Sequence, residues 1–161
     1  GRPRSGRSEA GPRTSFLSLT SINSRSMSYR IIEIEGIGEV YAQKLEAAGV
    51  KTTDDLLQRC ACPKGREELA ETTGISKALI LKWTNHADLF RIKGVAGQFA
   101  ELLEAAGVDT VKELRHRVPE NLEERLLKIN DLRGLVNRVP SVKELEKMIA
   151  QAKELEPVMT Y

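Results

Sequence analysis

Two short glycine clusters are the residues of this chain best suited to chemistry. Gly36-Ile37-Gly38 and Gly94-Val95-Ala96-Gly97 can make tight turns with positive φ, leaving backbone N–H groups pointing outward. Where such a turn opens a helix, the amides and the positive end of the helix dipole together form an anion site. The flanking charges separate the two clusters. Glu33, Glu35 and Glu39 bracket the first and oppose a phosphate, whereas Arg91 and Lys93 precede the second and Gln98 follows it. The candidate nucleic-acid contacts are therefore Arg91, Lys93, Gly94, Val95, Ala96, Gly97 and Gln98, with Gly36, Ile37 and Gly38 as the first-cluster counterpart. The glycines also suit a purely structural use, the close approach of two helices, and residue type alone leaves both readings open.

Other reactive residues form no recognisable set. Cys60-Ala61-Cys62 offers two thiolates, but a closed zinc site takes about four ligands at short spacing and the sequence holds no second pair. The C-x-C spacing is also not the C-x-x-C of a redox pair, so neither metal nor cofactor is assigned. In Trp83-Thr84-Asn85-His86-Ala87-Asp88, helical spacing puts Trp83, Ala87 and Phe90 on one face and sends Asn85 and His86 elsewhere, towards solvent. Trp83 is read as core rather than as a base-stacking platform. There is no nucleophile elbow, His-Glu-x-x-His motif or P-loop. Carboxylates follow surface helical spacing, and the pairs Asp54-Asp55 and Glu67-Glu68 are placed in first turns, where negative charge suits the dipole. The expectation is a protein without enzymatic activity.

The elements that hold the glycine clusters recur. Leu45-Glu-Ala-Ala-Gly-Val50 returns unchanged as Leu103-Glu-Ala-Ala-Gly-Val108, 58 residues later, and the flanking positions match in register. Each cluster opens a helix with inward positions Tyr41, Leu45 and Ala48, or Phe99, Leu103 and Ala106. Gly49 and Gly107 stand where a helix ends in the left-handed region. Thr53, and Thr110 with Glu113, are placed as caps of second helices, and Pro63 and Pro119 in the first turns of third helices near 64–73 and 120–129. Ser76, and Ser141 with Glu144, start the last helix of each copy, where Ile80, Trp83, Ala87 and Phe90 align with Leu145, Met148, Ala152 and Leu155. That alignment has an offset of 65, so the second copy carries seven extra residues within 131–139. The fold expected is all-α, two duplicated units of about four helices each, spanning 30–91 and 92–155 and sharing an apolar seam, with 156–161 as a C-terminal tail.

The pattern Ile34-x-Gly36-Ile37-Gly38-x-x-x-Ala42-x-x-Leu45-x-x-Ala48-Gly49-Val50 resembles a helix-hairpin-helix motif, and Ile92–Val108 is a looser match. Two such copies resemble a bacterial family of uncharacterised tandem helix-hairpin-helix proteins over roughly Tyr29 to Tyr161. Similar motifs occur in the C-terminal domain of the RNA polymerase alpha subunit and in many DNA-repair proteins. The resemblance implies hairpin amides that grip phosphate oxygens irrespective of sequence, sometimes with a monovalent cation at the hairpin. Two departures stand out. Glu39 occupies a position that is more often basic or proline in DNA-binding members, and Ala96 replaces the second glycine of the second motif, with Gly97 next.

Composition bounds these readings. Apolar residues make up 40% of the 161, enough for a core, while aromatics at 4% favour helices over a β-sandwich. No apolar run is long enough to cross a membrane. The net charge of +2 hides an asymmetry: residues 1–26 hold five arginines against one glutamate, leaving 20 basic and 22 acidic side chains in the remainder. The basic Ser/Arg-rich stretch 1–26 reads as a disordered tail, with a transit signal, a leader before Met27 and an expression remnant all open. The mildly acidic remainder is unlike a strong electrostatic nucleic-acid binder. Two function classes follow: a weak, sequence-independent nucleic-acid module, with double-stranded DNA the expected partner, or a protein–protein adaptor that keeps the scaffold without the phosphate grip. For the adaptor, Leu132, Leu135, Val136 and Val139 offer an apolar patch. Two cysteines and no membrane segment point to a reducing, cytoplasmic setting.

Overall fold

The computed structural model describes residues 28–95 and 97–161. The expectations for residues 1–26 and for Ala96 lie outside them. The described residues are all-α: a 3₁₀ turn at Ile31–Glu33, then α1 (Glu39–Ala47), α2 (Thr53–Cys60), α3 (Pro63–Thr73), α4 (Lys77–Leu89), α5 (Gly97–Ala105), α6 (Val111–Leu114), α7 (Pro119–Arg133) and α8 (Val142–Glu154).

The helix boundaries follow local chemistry. Pro63 and Pro119 begin α3 and α7, where a missing N–H costs nothing, and Gly74 and Gly134 end them in the left-handed region. Ser76 and Thr110 accept from the amides of Leu79 and Glu113, and Ser141 with Glu144 forms a reciprocal capping box. One cap differs from expectation. Thr52, not Thr53, caps α2, in a box with Asp55, because the Thr53 hydroxyl is turned inward to accept from the Tyr29 amide at 3.1 Å. That contact belongs to a short antiparallel pairing in which Ile31 N–H donates to Lys51 and Thr53 N–H to Tyr29. Asp54 and Asp55 lie in the first turn of α2 as expected, but Glu67 and Glu68 fall in the second turn of α3.

The turns after α1 and α5 have the same geometry. Gly49 and Gly107 have φ of 92° and 91°. Val50 and Val108 each donate back to Leu45 and Leu103 at 2.8 Å, the bond pattern of a Schellman close.

Packing is led by α4, which touches α2 and α3 on one side and α5 on the other, while α8 packs on α7 and α6. Trp83, Ala87, Phe90, Leu103, Leu145 and Met148 all lie in one contiguous apolar core. Because α4 is covered from both sides, every residue from Trp83 to Leu89 is buried. The expectation of solvent-exposed Asn85 and His86 is therefore corrected. A one-face reading of a helix fails when the helix runs through the middle of the molecule. Trp83 makes an edge contact with Tyr41, their ring centroids 5.0 Å apart, so it has no face free for a base.

Candidate functional site

The two glycine turns begin alike. Gly36 and Gly94 have φ of 95° and 94°, and Ile37 and Val95 each donate to the carbonyl three residues back, Ile34 or Ile92, at 3.1 Å. A Cβ on Gly36 would lie 3.5 Å from Trp83 Nε1, and one on Gly94 3.1 Å from Met148 Cε, so each turn leans on its own supporting helix, α4 or α8. They part at the next step. Gly38 is the extended N-cap of α1, with φ −91°, whereas Gly97 enters α5 with φ 51°.

The residues nominated from sequence do not all reach the surface. Ile37 and Val95 are core side chains whose amides are consumed inside the turn. Arg91 is also committed. Its guanidinium, 9% exposed, pairs with Asp88 through Nε at 3.0 Å and Nη2 at 2.6 Å, and donates to the Glu156 carbonyl at 3.0 Å. The Lys93 amide is held by Gln151 Oε1 at 3.0 Å, while its side chain stays exposed. Gly94 and Gln98 are exposed and Gly97 half-buried. At the first turn Gly36, Gly38 and Glu39 are all exposed. The first turn of α5 carries no acidic residue, while that of α1 carries Glu39. What remains near the second turn is therefore the Lys93 ammonium, the Gly94 backbone and the head of α5.

A second polar cluster lies between α4 and α5, and sequence reasoning missed it. His86 is 0% exposed, and neither Nδ1 nor Nε2 has a hydrogen-bond partner among the described residues. An unsatisfied buried polar group costs about 1–3 kcal/mol. Nε2 lies 3.4 Å from Glu104 Oε1 and 3.9 Å from Glu101 Oε1, and Lys82 Nζ lies 3.7 Å and 3.4 Å from the same two atoms. Burial pushes the Glu104 carboxyl up, but the His86 imidazole and then the Lys82 ammonium outweigh it and hold the group below its ordinary range. The i, i+3 spacing of Glu101 and Glu104 was legible, but their meeting with His86 depends on how α4 crosses α5.

The thiols divide. Cys60 is buried, which pushes it up to about 11, and Cys62 is exposed.

The family described as Domain of unknown function (DUF4332) matches residues 35–155. The chain belongs to that family. The DUF4332 match begins inside the first glycine turn and ends after α8, so it takes in both turns and the α4–α5 cluster. No curated protein and no solved structure matches this DUF4332 chain. No helix among the described residues is long and apolar enough to cross a membrane.

Proposed function

We propose that the chain is a non-enzymatic, duplicated helix-hairpin-helix module that binds duplex DNA weakly and without reading its sequence. Lys93, the Gly94 backbone and the head of α5 at Gly97 and Gln98 carry the contact. The supporting observation is electrostatic. The second turn exposes a lysine beside a helix start free of acid, where the first exposes Glu35 and Glu39. With Arg91 committed to Asp88, the charge available is small, so about two to four phosphate contacts are expected and the salt slope is shallow. The reading places the protein in a reducing cytoplasm, in keeping with two free thiols.

Fluorescence anisotropy on duplex DNA tests this, with the five arginines at 2, 4, 7, 13 and 25 changed to Gln so that the tail contributes nothing. Lys93→Glu is expected to weaken binding about tenfold or more, since it replaces attraction by repulsion. Equal affinity in that variant removes the second turn from the interaction.

An adaptor is the second reading, favoured by the locked Arg91 and the occupied Lys93 amide. Of its candidate patch, Leu135, Val136 and Val139 pack against the core and only Leu132, 87% exposed, remains free. Partners captured with the protein that persist after nuclease treatment would favour this reading.

A further inference from the structure

The polar cluster between α4 and α5 has no part in either glycine turn. It combines a fully buried imidazole, without a hydrogen-bond partner among the described residues, with two carboxylates that α5 presents one turn apart. We propose that His86 Nε2, Glu101 and Glu104 form a site for a divalent transition-metal cation of the zinc class, with the Lys82 ammonium as the group that the metal displaces.

Geometry supports this first. Zinc bound to imidazole nitrogen and carboxylate oxygen at ordinary bond lengths sets neighbouring ligand atoms roughly 3.3–3.5 Å apart in a tetrahedron. His86 Nε2 stands 3.4 Å and 3.9 Å from the two oxygens, and all three ligand atoms lie within 4.8 Å of one another. Small rotations of two half-buried glutamates close the remainder. The donor set comes next. A neutral imidazole with two carboxylates suits zinc and its neighbours, whereas calcium and magnesium prefer oxygen alone. Charge agrees as well. Lys82 Nζ sits 3.4 Å and 3.7 Å from the same two oxygens, so a cation already occupies this region. An ammonium has no vacant orbital to accept a nitrogen donor, so it cannot tie His86 to the carboxylates, whereas a divalent ion would bind Nε2 with its proton released and neutralise both carboxylates. The Lys82 side chain, 39% exposed on a flexible stem, can turn out to solvent. Three protein ligands leave a fourth position for water.

The test uses the full chain carrying Cys62→Ser, stripped with a chelator and titrated with zinc chloride by calorimetry and by thermal unfolding. Zinc is expected to bind one-to-one and to raise the melting temperature. Glu104→Gln, which keeps the side chain's shape, is expected to weaken binding about tenfold or more, comparable to losses at other zinc sites. Lys82→Met is expected to tighten binding several-fold by removing the competing ammonium. Cobalt(II) substitution should give ligand-field absorption without a thiolate charge-transfer band. No response to zinc, equal affinity in Glu104→Gln, or a thiolate band in the cobalt spectrum overturns the proposal. The DNA-binding arm with Lys93→Glu is unaffected by any of these outcomes.

Discussion

Glu144 shows how much one exposed side chain can be asked to do. It accepts the Ser141 amide at 2.9 Å in the capping box of α8 and accepts from both terminal guanidinium nitrogens of Arg138, Nη1 at 2.9 Å and Nη2 at 3.0 Å. The hydrogen bond from Arg138, then that from the Ser141 amide, holds its carboxyl at about 2, against an ordinary 4.5. A carboxyl depressed by folding adds stability that is complete above its unfolded value and is lost as pH falls towards the folded one. The margin by which the parent outlasts Glu144→Gln in thermal melts should therefore be constant from pH 7 to about 5. It should shrink between 4.5 and about 2. Because the pair lies at the surface, added salt should also narrow the margin at pH 7. The capping spacing Ser141–Glu144 was legible in the sequence. Arg138, six residues from Glu144 across a loop, was not, since only the loop's path brings it close.

The element most dependent on a single residue is the α2–α3 corner. Gly65 sits in the second position after Pro63, against the end of α2, where a Cβ would fall 1.7 Å from the Arg59 carbonyl oxygen and 2.9 Å from its carbon. Both obstacles are backbone, so no side chain can turn aside. Gly65→Ala is expected to destabilise the protein by about 1–3 kcal/mol, the usual cost of overpacking, even though alanine is the better helix former. Urea unfolding measures it, and an unchanged midpoint would show that the corner opens cheaply. Arg66, next along, is buried and donates to the Cys60 and Thr160 carbonyls at 2.9 Å and 2.7 Å. The sequence marked Pro63 in the first turn of a helix near 64–73 but carried no sign that Gly65 mattered. Its constraint comes from a neighbouring helix, not from its own φ.

At the scale of the molecule, Asp88 joins what α4 ends to what α6 begins. Its buried carboxylate accepts Arg91 on one oxygen and the Val111 amide, at 2.8 Å, on the other. Asp88→Ala strips the partner from a nearly buried guanidinium and leaves the α6 amide unsatisfied. The expected cost is about 3–5 kcal/mol by urea unfolding. Arg91→Met should cost less, since Asp88 keeps its amide donor and the apolar stem is retained. The C-terminal residues add a second tie. Thr160 donates its amide to the Ala61 carbonyl at 2.8 Å and the Tyr161 hydroxyl donates to Asn85 Oδ1 at 2.9 Å, so the stretch after α8 lies across α4 and the α2–α3 corner. Residues 156–161, read from sequence as a plain tail, thus serve as a strap, and Asn85 finds there the partner that its burial requires.

The sequence by itself determined the all-α class, the glycine turns, most caps and the inward residues Leu45, Leu103, Trp83 and Met148. Those features depend on neighbours within one or two helical turns, where residue type and spacing suffice. Only the tertiary structure decided that α4 is buried all round from Trp83 to Leu89, that Arg91 is occupied by Asp88, and that His86 faces Glu101 and Glu104. Each of those outcomes depends on where distant helices cross, a property that local periodicity does not encode.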